Sequence, residues 1–181
     1  IDRVNRVSKG WGSLPYSMNT VNSTVKPNSI WDPNRYFNIW ACPLSGGTLG
    51  FATFPNPGTS GIQGLSAPYG SATTDGVVIS NQYFGSIGTA QFSSFNKGRT
   101  ATHEVGHWLG LRHIWGDNTC GNDFCADTPP AQNANSGCVT HPRRLGTCSG
   151  NTTGEMFMNY MDYSDDQCLL MFTNDQKYRA Q

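Results

Sequence analysis

Three histidines and one glutamate fall within the string HEVGHWLGLRH, at spacings suited to a metal ion. His103 and His107 are four residues apart, so on a helix their imidazoles leave one face and can reach a single ion. Gly110 permits a sharp turn after that helix, which lets His113 swing back as a third nitrogen ligand. Zinc takes about four ligands. Three histidines therefore leave one position for water, and an open set beside a carboxylate is the catalytic arrangement, whereas a closed set would be structural. Glu104, one residue after the first ligand, is that carboxylate. Zinc would lower the pKa of bound water from about 16 toward 7 and polarise a peptide carbonyl. Glu104 would take the proton and then pass it to the leaving amine. The five-residue pattern HExxH recurs by chance. Gly110 and His113 at the required offsets, on a segment that is independently helical, make coincidence a poor account.

The elements that must position these residues are legible in part. Ala101, Val105, Trp108 and Leu109 recur at three- and four-residue steps, so a helix is expected from near Asn96 or Lys97 to about Leu111, with Gly110 as its exit. Before it, Phe37–Cys42, Leu49–Phe54 and Gly76–Ser80 are short aromatic or branched runs bounded by Pro and Gly, as strands are. Three strands before a strong helix suggest an α+β arrangement. Residues 1 to 36 carry no sustained period and read as irregular. From Trp115 to Gln167 the chain is loop-like, and a loop region that long calls for a staple or a function. Asn174–Gln181 reads as a C-terminal helix.

Composition excludes several classes. The chain has 181 residues, enough for one domain. Twelve basic and twelve acidic residues cancel, and only 13% of residues are charged, so no basic surface points to nucleic acid or to anionic lipid. No run approaches the roughly 20 apolar residues of a membrane span, and no signal peptide opens the chain. A processed, secreted monomer acting on protein or peptide substrates is expected, without nucleic-acid or membrane partners. Six cysteines, none in CxxC spacing, read as disulfides in an oxidising compartment, and they permit 15 pairings. Asn22 and Asn151 open glycosylation sequons if the host uses them. The stretch Asp117–Thr128 gathers oxygen ligands that suit calcium better than zinc. A peptide-binding module without activity is opposed by the intact Glu104. A hydrolase of other substrates would be told apart by its failure to digest casein, and a purely structural module by its lack of zinc.

HEVGHWLGLRH followed by MNYMDY resembles the metzincin metallopeptidases. NIWACPLSGGTLGFATFP, DFCADTP and MFMNYMDYSDDQC sharpen the likeness to the pappalysin family, close to its ulilysin-like branch, over about Tyr36 to Phe172. The resemblance implies a zinc endopeptidase with a two-lobed catalytic domain. A twisted mixed sheet and two helices, the active-site helix among them, lie above a horizontal cleft, with an irregular disulfide-stapled lobe below. The upper lobe would run to about residue 112 and the lower from about 113 to 181. Met161 would be the methionine beneath the metal, and Tyr163 would point its hydroxyl at the site to stabilise the oxyanion.

By the same likeness a calcium ion would sit on Asp123 and the Thr128 carbonyl, with Asp127 beside them. Cys120 would pair with Cys148 and Cys138 with Cys168, leaving Cys42 and Cys125 for a third bridge. Some relatives prefer Arg or Lys after the scissile bond, through an acidic residue next to the last cysteine. Gln167 stands there in this chain, with Asp165 and Asp166 near it, so a relaxed specificity is expected. Relatives also carry residues before the point matching Ile1, so the sheet is expected to be short of strands or to expose an edge. No inhibitory pro-segment is seen, which implies an active form.

Overall fold

The computed structural model describes residues 10–56, 61–143 and 148–181. A short helix α1 (Met18–Thr20) opens it, with Ser17 as the cap: its side chain accepts from the Thr20 amide at 3.1 Å. The chain continues as a π-helical turn, Val21–Val25, in which the Lys26 amide reaches back five residues to the Val21 carbonyl at 2.9 Å. Residues 10 to 36 are thus not wholly irregular, as the absence of a period suggested; residues 1–9 lie outside the described residues. No period is visible because the segment is too short to repeat one: Val21 and Val25, a single four-residue step, are the only buried residues of the π turn.

Three strands form one mixed sheet in the order β1-β3-β2, where β1 is Ile39–Cys42, β2 Gly50–Ala52 and β3 Val77–Ser80. β1 runs parallel to β3 with Ile39 opposite Val77, and β2 runs antiparallel with Gly50 opposite Ile79. The Val-Val-Ile-Ser run of β3 is buried throughout, as a central strand covered on both faces must be. β1 alternates exposed and half-buried positions, the pattern of an edge. Gly76, at φ +130°, admits no side chain, since a Cβ would lie 2.3 Å from the Asn38 carbonyl oxygen.

Two apolar clusters build the interior. Tyr16, Val21, Val25 and Val78 form one against the sheet, with Trp40, Cys42 and Phe51 packed on it. Lys26 is wholly buried beside this cluster, its Nζ donating to the Thr74 carbonyl at 3.0 Å and lying 5.0 Å from the Phe51 ring. Burial lowers its pKa to about 8, with the Asp75 carboxylate pulling the other way. Leu111, Ile114, Ala131 and Met161 form the second cluster, with Trp115, Met156 and Phe172 against it. Helix α2 (Arg99–Trp108) packs on β2 and β3 and meets the second cluster through Gly106. Helix α3 (Asn174–Arg179) closes the chain under a capping box formed by Thr173 and Gln176.

Cys120–Cys148 and Cys138–Cys168 are bridged, stapling a region with little regular structure. Such bridges contribute about 2 to 4 kcal/mol each by restricting the unfolded chain. The third bridge does not form: Cys42 and Cys125 are both free thiols. Cys42 ends β1 and packs in the sheet cluster, while Cys125 is buried in the loop of Asp123, so they belong to different parts of the fold. Among the described residues no helix is long and apolar enough to cross a membrane.

Candidate metal centre

Helix α2 starts later and ends earlier than its apolar spacing suggests, because both ends are set by contacts. Its N-cap Gly98 stands at φ +73° and offers no side chain. The carboxylate of Asp166 takes that role from a distant loop, with Oδ2 accepting from the amides of Lys97 at 2.7 Å and Arg99 at 3.1 Å. At the other end Gly110 stands at φ +93°, the Leu111 amide donates to the Gly106 carbonyl and the Gly110 amide to that of His107, both at 2.9 Å. This glycine-terminated closure sends the chain out sharply, and His113 returns to the helix.

The three imidazoles converge. Their Nε2 atoms form a triangle with sides of 3.0, 3.1 and 3.2 Å. Each Nδ1 faces an oxygen that can only accept: the Tyr160 carbonyl at 2.7 Å from His103, the Leu111 carbonyl at 2.8 Å from His107, and the Asp117 carboxylate beside His113. The proton of each ring is thereby held on Nδ1, and three Nε2 lone pairs face one another. Burial, reinforced by the neighbouring rings, holds the His103 pKa well below the ordinary value, and burial and His113 bring His107 to about 4, so neither ring is charged near neutrality. Lone pairs so close repel unless a cation lies among them. A tetrahedral zinc ion with bonds of about 2.0 Å to nitrogen needs edges of about 3.3 Å, so the donors fit that metal. Among the described residues these histidines are the only group of three or more His, Cys, Asp or Glu side chains whose ligand atoms gather this closely.

Glu104 is buried, and burial alone raises its pKa to about 8. It projects toward β2, where a Cβ on Gly50 would lie 2.8 Å from its Cγ and 2.9 Å from Oε1. Gly50 is thus required by the approach of Glu104 to the strand. On the other face of α2, Met161 is wholly buried and its sulfur lies against Gly106, the residue before His107. Tyr163 is half exposed, its ring 4.8 Å from that of His113 and 5.6 Å from that of His103. Burial, with Glu104, Asp117 and Asp162 nearby, pushes its phenol up to about 12, so it remains a hydrogen-bond donor.

The remaining expected residues have separate places. Gln167 lines a polar cavity of about 460 Å³ with Gln91, Ser93, Ser94, Asn96 and Lys97. Asp166, 1% exposed, caps α2. Asp123 accepts from the Thr128 hydroxyl at 2.8 Å through both carboxylate oxygens, and the Asp127 carboxylate accepts from the Asp175 amide at the start of α3. Asp117 and Trp115 escaped the sequence reading. Trp115 stacks on His113 at 4.3 Å and 5° between planes. Their only signal was position, two and four residues after a ligand, and the glycine between them masked it.

The chain is similar to known metalloproteases in sequence and in fold. The family model described as pregnancy-associated plasma protein-A matches residues 19–181. An extracellular metalloprotease of Arthroderma otae is 32% identical over 197 residues, covering 98% of this chain and 67% of the relative. Another, from Colletotrichum graminicola, is 42% identical over 177 residues, covering 96% of this chain and 56% of the relative. The structure of Tannerella forsythia mature mirolysin in complex with a cleaved peptide superposes with a TM-score of 0.77 at 43% identity, covering 91% of this chain and 59% of that one. The chain spans about half to two thirds of the length of the curated relatives it matches.

Proposed function

We propose, from the premise that this chain belongs to the pregnancy-associated plasma protein-A (pappalysin) family of metallopeptidases, that it is a secreted zinc endopeptidase cutting internal bonds of protein substrates. The observation that carries this reading is the triangle of three Nε2 atoms with a buried glutamate one residue from its first corner. When bound, zinc supplies a Lewis acid and makes water acidic enough to lose a proton near pH 7.

The rest is done by the chain's own groups. His103, His107 and His113 would hold the ion through Nε2. The carboxylate of Glu104, buried beside the triad, accepts a proton from water and returns it to the leaving nitrogen. Tyr163, still protonated, donates from its hydroxyl to the substrate oxygen as that atom gains charge. Among the described residues β2 pairs with β3 on one side only, and it runs beside Glu104, which suits an extended peptide laid along its other edge. Mirolysin's complex with a cleaved peptide is consistent with such a substrate.

Finer features belong to the same proposal. The polar cavity of Lys97 and Gln167 receives a substrate side chain without a strict demand for a basic one. A calcium ion would be held by Asp123 and the Thr128 carbonyl; the support is a buried carboxylate whose pKa burial has raised, a charge that a cation would stabilise. The extracellular names of the relatives and two disulfides support secretion.

Glu104→Ala tests the central claim. It is expected to keep zinc at one ion per chain while casein digestion falls by about 10²- to 10⁴-fold. Full activity in that variant, or digestion by wild type that survives zinc chelation, would refute it.

A further inference from the structure

His113 is the one metal-binding histidine outside helix α2, and it is held differently from the other two. His103 and His107 are answered by backbone carbonyls of Tyr160 and Leu111, fixed by the fold around them. His113 is answered by a carboxylate on its own loop, Asp117, through Oδ1. The second oxygen of that carboxylate accepts from Arg112, Nε at 3.3 Å and Nη2 at 3.2 Å. The same guanidinium reaches the Gly116 carbonyl at 2.6 Å and the Asn122 carbonyl at 3.0 Å, so it spans the turn that presents Asp117. Asp117 stands at φ 59°, a left-handed conformation that Asp tolerates better than most residues.

We propose that Asp117, held by Arg112, is the positioning residue for His113: it fixes the ring's tautomer and orientation and strengthens Nε2 as a donor to zinc. This rests on the reading of the histidine triad as a zinc site. A carboxylate behind a metal-bound imidazole raises its basicity, and removing such a partner typically costs about 10- to 100-fold in metal affinity. Trp115, stacked on the same ring, limits its swing but cannot choose its tautomer. The role of Asp117 is therefore separable from packing.

Zinc affinity, measured on the full chain by competition with a chelator of known strength, is the readout. Asp117→Asn keeps the shape and tolerates the left-handed backbone, and it is expected to weaken zinc binding about 10- to 100-fold. The thermal midpoint of its metal-free form should match wild type. Arg112→Gln should weaken zinc in the same direction by a smaller factor. An Asp117→Asn affinity within about twofold of wild type overturns the proposal. If that variant does not fold, Arg112→Gln decides: unchanged affinity overturns the proposal, and weakened affinity on an intact metal-free fold supports it. Wild-type protein that binds no zinc would instead overturn the triad reading itself.

Discussion

The sulfur of Met161 rests against the backbone of Gly106, so that a methyl group at position 106 would come within 2.4 Å of it and within 3.5 Å of the Phe172 ring. In most helices Gly→Ala stabilises by about 0.5 to 1 kcal/mol. Here Met161 is wholly buried and must move for the methyl to fit, and overpacking of that kind costs about 1 to 3 kcal/mol. The clash should win. Gly106→Ala is expected to lower stability by about 1 kcal/mol in urea unfolding, and Met161→Val in the same chain should recover part of the loss. A Gly106→Ala variant as stable as wild type would mean that Met161 moves aside freely.

Asp166 acts on stability, as the cap of α2. It receives the amide of Arg99, the first residue of α2, and that of Lys97 just before the helix, in place of a local cap that Gly98 cannot supply. Asp166→Ala should cost about 1 to 2 kcal/mol, with faster amide exchange at Lys97 and Arg99, and Asp166→Asn should cost less because an acceptor remains. Unchanged stability and exchange in Asp166→Ala would exclude the capping role.

How much of this was legible follows from where the causes lie. The histidine triad, Glu104 and the glycine exit were readable because a helix turns sequence spacing into spatial direction, and a single glycine marks where that rule stops. The core of β3 was readable for a similar reason, a branched run between Gly76 and Asn81. The N-cap of α2 was not, since its carboxylate comes from residue 166, far along the chain. Asp117 was read as part of an acidic loop because nothing in the sequence says that residues 113 to 117 fold back on themselves. Pairing Cys42 with Cys125 by elimination ignores that Cys42 packs in the sheet cluster while Cys125 lies in the loop of Asp123.

Calcium should act through Asp123. The protein stripped of both metals and restored with zinc alone should unfold at a lower temperature than the same protein with calcium added. The gain would reach about 2.7 kcal/mol when calcium is at 100 times its dissociation constant. Asp123→Asn should abolish most of that difference while the zinc content stays unchanged. Equal midpoints with and without calcium in wild type would remove the site.

The acid end of the stability profile should carry the signature of Asp162, which anchors the turn after Met161. Its carboxylate accepts from the Asn135 amide at 2.9 Å, the Asn135 side chain at 2.8 Å and the Tyr163 amide at 2.8 Å, while Glu155 shares the same Asn135 side chain. Burial raises the Asp162 pKa from 3.8 to about 6, with Glu155 adding to the rise and the hydrogen bonds opposing it. The folded state therefore holds this proton more tightly than the unfolded chain. Its contribution is fully present below about pH 4 and is lost as pH rises through about 6, a swing of up to about 3 kcal/mol. His103 and His107 pull the other way, since their depressed pKa values favour the folded state as pH rises. Wild type alone would thus mix two opposite slopes, and the informative quantity is its difference from Asp162→Asn, measured by urea unfolding of metal-free protein. From pH 4 to pH 7 wild type should lose stability relative to that variant, by up to about 3 kcal/mol. A difference independent of pH would show that Asp162 is ionised throughout and that its hydrogen bonds outweigh its burial.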